Sequence, residues 1–258
     1  MKISTTIYWF SGTGNSLYVA KRLTAGLGGA SIVSMASGVP VEAVGGDGEK
    51  LGFVFPSYYC NLPRIVRAFA ENLKIRDRTY LFAIVTMGGL GQGSIAELES
   101  LLKKKNLELS YGRGIHTPAN YIIRYNPADK AKMEGKLNKV NEKIKFISSQ
   151  INFGVRSVKK IRLSTNYLYK NIENLDSQFY AENTCASCGQ CAKLCPAANI
   201  KIDNGKPLWL HHCEHCVACI SWCPKEAIQY GGQTKTRRRY RNPKISANEM
   251  ITAMKLPN

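Results

Sequence analysis

Acidic residues are scarce in this sequence. Only 18 Asp+Glu stand against 36 Lys+Arg, a formal net charge of +18. Such a chain repels cationic partners and attracts acidic ones at long range. Long hydrophobic runs are also missing. The longest apolar stretches, such as Tyr80 to Val85, fall far short of the roughly 20 residues that span a bilayer, so no membrane span is expected. The first residues include Lys2 but no apolar segment with a small-residue cleavage site, and we expect a cytoplasmic protein. Cysteine is nearly absent upstream of residue 185, where only Cys60 occurs. Without an export signal, disulfides are not expected, and cysteines are read as metal ligands or free thiols.

The 258 residues suffice for one doubly wound domain and a small second one. Strand and helix signals alternate over the first 150 residues. Strands are predicted at Ile3 to Phe10, Leu51 to Phe55, Thr79 to Thr86 and around Leu107 to Ile115. Helices are predicted at Asn15 to Leu27, Pro63 to Leu73, about Gln92 to Lys105, and Lys130 to Ile151. This alternation implies a parallel sheet with right-handed crossovers. We divide the chain into an α/β domain over 1–152, a connecting segment over 153–182, a cysteine module over 183–232 and a basic tail over 233–258. The tail is expected to be mobile. Basic excess is concentrated late: residues 1–100 carry 9 Lys+Arg against 7 Asp+Glu, residues 101–183 carry 16 against 7, and residues 184–258 carry 11 against 4.

Eight of the nine cysteines lie between Cys185 and Cys223, in a repeat with an offset of 28 residues. Cys185, Cys188, Cys191 and Cys195 with Pro196 recur as Cys213, Cys216, Cys219 and Cys223 with Pro224. Each half reads C-x2-C-x2-C-x3-C-P, the run that binds [4Fe–4S] clusters in two-cluster ferredoxins, where the fourth cysteine ligates the other cluster. One cluster is therefore assigned Cys185, Cys188, Cys191 and Cys223, and the other Cys213, Cys216, Cys219 and Cys195. Two zinc sites are the competing reading, but zinc is usually held by pairs of C-x2-C separated by a longer loop. His211, His212 and His215 stand beside these ligands, yet four cysteines already complete each set.

The first strand ends in Ser11-Gly12-Thr13-Gly14-Asn15-Ser16, where a helix begins. Backbone N–H groups and the helix dipole make such a turn an anion site. A dinucleotide fingerprint needs a third glycine where Leu17 stands, and a nucleoside-triphosphate loop needs Gly-Lys-Ser/Thr. A hydroxyl-rich loop without lysine suits the phosphomonoester of FMN, against the plainer reading of a capped strand-to-helix turn.

On these residues the N-terminal half resembles flavodoxin, and the whole chain resembles the flavodoxin–ferredoxin fusion proteins of anaerobic bacteria and archaea. The resemblance implies a flavodoxin-like, doubly wound, five-stranded parallel sheet of order 2-1-3-4-5, followed by a small α+β two-cluster ferredoxin-like domain. It implies FMN at the carboxyl ends of the strands. Two further loops are then expected to hold the isoalloxazine ring. The first is Pro56, Ser57, Tyr58 and Tyr59, where a tyrosine stacks on the ring. The second is Thr86, Met87, Gly88, Gly89 and Gly91, beside Leu90 and Gln92. Asn120 and Tyr121 are candidates to close the site. Cys60 is read as a packed residue.

The expected function is electron transfer between FMN, two [4Fe–4S] clusters and redox partner proteins, such as acidic ferredoxins or flavodoxins. The alternative is an FMN-dependent reductase of a small molecule, fed by the clusters. The basic runs Lys103-Lys104-Lys105 and Arg237-Arg238-Arg239 raise nucleic-acid binding, but no nucleic-acid module is recognisable. They are read as a solvated face and a docking surface for acidic partners.

Overall fold

A computed structural model gives the structure of the chain and describes residues 4–89, 91, 93–159 and 173–255. Lys2, Leu90, Gln92, Tyr167 and Tyr169 lie outside the described residues. Six parallel strands form the central sheet: β1 Thr5–Trp9, β2 Ser31–Ser34, β3 Lys50–Pro56, β4 Tyr80–Met87, β5 Leu109–His116 and β6 Ser157–Val158. Their order is β2-β1-β3-β4-β5-β6. Register places Ile7 beside Ile32 and Gly52, and Val54 beside Ile84. The strands β3 and β4 are buried along almost their whole length. Apart from Lys50 and Thr86 their sequences are apolar, as a sheet covered on both faces requires.

Four helices supply that cover: α1 Asn15–Gly26, α2 Arg64–Asn72, α3 Gly93–Lys103 and α4 Lys130–Asn152. Right-handed crossovers put α1 on one face and α2 with α3 on the other; α4 packs beside α1. Asp129 caps α4, its carboxylate accepting from the Lys132 amide at 2.9 Å. The buried stripe of α4 runs Leu137, Val140, Ile144, Ile147, Ile151, the spacing of one helix face. Lys132, Lys136, Lys139 and Lys143 are exposed along one flank of this stripe.

The sheet exceeds the expected five strands by β6. It comes from the segment read as a connector and pairs Ser157 with Tyr111 and Val158 with Gly112. Its two residues are too few to leave a pattern in sequence.

The cysteine-rich region is built from β7 Phe179–Ala181, α5 Gln190–Lys193, β8 Ile200–Asp203, β9 Lys206–Trp209, α6 Ala218–Trp222 and β10 Ile228–Tyr230. β7 pairs antiparallel with β10, and β8 with β9. The sequence repeat is also a backbone repeat. Ser187, Gly189 and Ala198 take positive φ (52°, 70° and 49°), and so do His215, Val217 and Glu226 (52°, 54° and 50°), each 28 residues on. For Val217 this conformation costs roughly 1–2 kcal/mol. It has to be held by the surroundings.

Over the residues described the tail is packed against the rest of the chain. Tyr240 and Met250 are fully buried, and Ile245 joins the core of the α/β domain. A last helix, α7 Ala247–Lys255, packs against β2. Composition misled here: basic residues dominate the segment, but apolar anchors are spaced between them. The core is shared across the chain. Trp222 and Ala218 from the cysteine region belong to the α/β core, while Ile122, from the loop after β5, is fully buried in the core of the cysteine region.

Candidate functional site

Strand β1 delivers Ser11 to Ser16 to the carboxyl edge of the sheet, where the chain turns into α1. Gly14, at φ 92°, is the N-cap, and its amide donates to Ser11 Oγ at 3.1 Å. Gly12 is needed for close approach, since a Cβ there would stand 2.4 Å from the Cys216 carbonyl oxygen. Thr13 Oγ1 accepts from Asn120 Nδ2 at 2.6 Å, and Ser16 Oγ shares a hydrogen bond with Thr86 Oγ1 at 2.8 Å. Asn15, expected to offer a donor to ligand, is bound by the protein. Its Nδ2 donates to the Pro118 carbonyl, and its Oδ1 accepts from Tyr240 at 2.6 Å and Asn242 at 3.0 Å.

An open cleft of about 220 Å³ lies over this loop. Ser11, Gly12, Thr13, Asn15, Ser16, Pro56, Ser57, Tyr58, Tyr59, Thr86, Met87, Gly88 and Gly89 all line it. Gly14 and Gly91 do not; Gly14 faces Asn242 and Ile245 instead. Asn120 and Tyr121 are also in the wall, as is Cys60.

Sequence reasoning missed Thr117, Arg124, Tyr125, His215 and Val217, and it did not foresee Cys216 in this wall. The last three belong to the cysteine repeat, so the second cysteine loop closes the cleft from above. No local signal reports that contact, which is made across the fold.

The loop Tyr58 to Asn61 turns tightly, with Tyr59 and Cys60 at φ 52° and 64° and reciprocal backbone bonds between Tyr58 and Asn61. Two residues in the left-handed region at a cleft rim store strain, as ligand sites commonly do. The Tyr59 hydroxyl is hydrogen-bonded to that of Tyr121, which shares a bond with His215 Nδ1 at 2.9 Å. Burial raises both tyrosine pKa values, so both hydroxyls keep their protons.

The two assigned quartets each line a small cavity. Cys185, Cys188, Cys191 and Cys223 surround one, and Cys195, Cys213, Cys216 and Cys219 the other. Among the described residues, no three His, Cys, Asp or Glu side chains converge closely enough to hold a single metal ion. Backbone amides point at sulfur: Asn199 N donates to Cys195 Sγ at 3.2 Å and His215 N to Cys213 Sγ at 3.3 Å. Burial, then neighbouring thiols, pushes Cys191 up to about 11. Burial also pushes Cys213 up to about 12, and Cys216 and Cys219 well above the ordinary thiol value. The first quartet is nearer solvent, with Cys188 exposed; Cys213, Cys216 and Cys219 are buried.

The two halves are clamped together. Arg64, at the start of α2, donates through its amide and Nε to Glu214, each at 3.1 Å, and also binds the Cys213 carbonyl. Phe179 stacks on Trp209 and packs edge-on to Tyr230, so it serves the cysteine region's own core. Among the described residues, no helix is long and apolar enough to cross a membrane.

No protein-family model matches the sequence, and no curated protein is significantly similar to it. Similar solved structures include a candidate flavoprotein of Bacteroides uniformis. It is 18% identical, with a TM-score of 0.35, over 45% of this chain and 92% of that one. Another is a candidate flavoprotein of Bacteroides eggerthii, 17% identical with a TM-score of 0.35, over 53% of this chain and 97% of that one.

Proposed function

We propose that this chain is an electron-transfer protein, with FMN in the cleft over the Ser11–Ser16 loop and one [4Fe–4S] cluster on each cysteine quartet. The observation that carries the reading is the shared wall. His215, Cys216 and Val217 line the same cleft as the glycine loop and Tyr58, so a flavin there would lie against a cluster-binding loop. The donor sets fit these groups. A cubane spreads its four thiolates over four irons, so its ligands surround a void, whereas one zinc ion would draw four sulfurs to within about 3.8 Å of each other.

FMN would supply a one- or two-electron centre and each cluster a one-electron centre. The chain's residues do the remainder. The amides at the start of α1 face the phosphate position, and Tyr58 and Tyr59 offer ring faces at the rim. The Arg64–Glu214 clamp fixes the distance between the two halves. The exposed Cys188 loop suits exchange with an external partner, and the lysine face of α4 suits an acidic one, since opposite fields steer encounter.

Anaerobic purification with flavin extraction and iron and sulfide analysis tests the cofactors. One FMN with about eight irons per chain is expected; zinc in place of iron ends the reading. Rapid reduction, followed at flavin and cluster wavelengths, tests the connection. The internal transfer rate should not change with protein concentration.

A further inference from the structure

The segment 153–182, which the sequence presents as a connector, carries a fully buried acid. Asp176 lies in the 3-10 turn Glu173–Gln178 and is 0% exposed. Its Oδ2 accepts from Asn199 Nδ2 at 2.9 Å and from the His211 amide at 3.1 Å. Its Oδ1 shares a hydrogen bond with His211 Nδ1 at 2.8 Å. Among the described residues no Lys or Arg pairs with it, whereas buried Glu214 has Arg64. A buried carboxylate is costly unless hydrogen bonds and opposite charge compensate it.

Asp176 sits at the open end of the β8–β9 hairpin. Asn199 immediately precedes β8, and His211 lies two residues past the end of β9. The Leu210 amide donates to the Asn199 carbonyl at 2.9 Å, and the His212 amide to Asn199 Oδ1 at 2.7 Å. Asn199 also donates its own amide to Cys195 Sγ at 3.2 Å. One carboxylate therefore joins the chain leaving Cys195 to the chain entering Cys213. Asn199 lines the same cavity as Cys195, Cys213, Cys216 and Cys219. The cysteine repeat is broken at this point. The residue 28 positions beyond Asn199 is Ala227, whose methyl group binds no acid. The brace serves one quartet only.

We infer that Asp176 is a positioning residue for the quartet of Cys195, Cys213, Cys216 and Cys219: through Asn199 it holds Cys195 beside the other three, and its charge lowers the reduction potential of the cluster they carry. This rests on the cluster reading above. A negative charge buried near a cluster disfavours the reduced, more negative state. The same field is felt at sulfur: burial raises the Cys213 thiol most, and the Asp176 charge adds to the rise. Two clusters on identical cysteine spacing are thus made unequal. A single electron is biased toward the other quartet, the one nearer solvent.

The test uses the full chain reconstituted anaerobically, with iron and sulfide analysis and EPR-monitored potentiometry. Asp176→Asn keeps the shape and an acceptor oxygen and removes the charge. The reduction equilibrium of the cluster holding Cys195 should shift about tenfold toward the reduced form, about 59 mV for one electron. The other cluster should stay near its native potential. Full iron content with unchanged potentials, or with equal shifts in both clusters, overturns the inference and leaves the cluster reading standing. If Asp176→Asn does not hold its clusters, His211→Ala decides, because the imidazole is largely exposed and its loss takes one partner from the carboxylate. The potential of the same cluster should then move the opposite way, downward. Unchanged potentials in His211→Ala overturn the inference. A native chain without iron removes the cluster reading and this inference together.

Discussion

Trp222 and Gly12 are 210 residues apart and meet at 2.9 Å, where the buried indole Nε1 donates to the glycine carbonyl. One partner lies in the proposed phosphate loop. The other lies between the cysteines Cys219 and Cys223. Trp222→Phe keeps most of the ring and removes the donor, leaving a buried carbonyl unpaired. Stability should fall by about 1–3 kcal/mol, read by denaturant titration, and FMN affinity should fall with it. Unchanged FMN binding would mean that the loop does not depend on the cysteine region.

The Arg64–Glu214 pair makes a separable prediction. Glu214 is nearly buried, at 4% side-chain exposure. Arg64→Met removes the guanidinium that neutralises its carboxylate, leaving the Arg64 amide bond, and should destabilise the chain by about 3 kcal/mol. The double change Arg64→Met with Glu214→Met should cost less than Arg64→Met alone, because no uncompensated charge remains. Additive losses would argue against a coupled pair.

Ligand exchange between the halves is tested by Cys195→Ala. The variant should lose the cluster assigned to Cys213, Cys216 and Cys219 and keep most of the one assigned to its sequence neighbours. Iron analysis with EPR distinguishes the two. Loss confined to the Cys185–Cys188–Cys191 cluster would reverse the assignment.

Long strands and helices were legible because β3, β4 and α4 have long apolar runs or stripes that only one element type can bury. The two quartets were assigned from the repeated C-x2-C-x2-C-x3-C-P motif, and each assigned set lines one cavity. β2 was not legible: four residues at a half-exposed edge leave no pattern. The β8–β9 hairpin was missed although its signal was present. Asn204 and Gly205 both take positive φ, the two-residue turn that this dipeptide favours. The cleft wall at His215 and Val217 was invisible because it depends on how two regions pack.

Asn242 ties the late segment to the glycine loop, its amide donating to the Thr13 carbonyl at 2.8 Å and its Nδ2 to Asn15 Oδ1 at 3.0 Å. Asn242→Ala should weaken FMN binding by about 1 kcal/mol, one side-chain hydrogen bond, and leave the iron content unchanged. Fluorescence titration of the flavin-free protein reads the first and colorimetric iron analysis the second.

Tyr80 sets an alkaline limit. Burial, then its neighbour Tyr111, raises its pKa from 10.0 to about 12, and its hydroxyl donates to the Val155 carbonyl at 2.6 Å. The folded state therefore holds this proton more tightly than the unfolded state. Its contribution is fully present below pH 10 and is lost as pH rises through about 12. Tyr80→Phe should flatten the fall in melting temperature over that interval. A slope equal to the native one would assign the alkaline loss to other groups.

The partners of Asn15 at Tyr240 and Asn242 are separated from it by 225 and 227 residues. During synthesis the glycine loop emerges early and waits, without these contacts, until nearly the whole described chain has left the ribosome. Sheet and helices of the first half have time to form locally, but the loop reaches its final shape only when the late segment wraps back. Long-range closure of this kind is slow relative to local folding. On the proposed reading flavin uptake should follow translation, and nascent chains stalled before residue 240 should accumulate folded sheet that takes up flavin weakly.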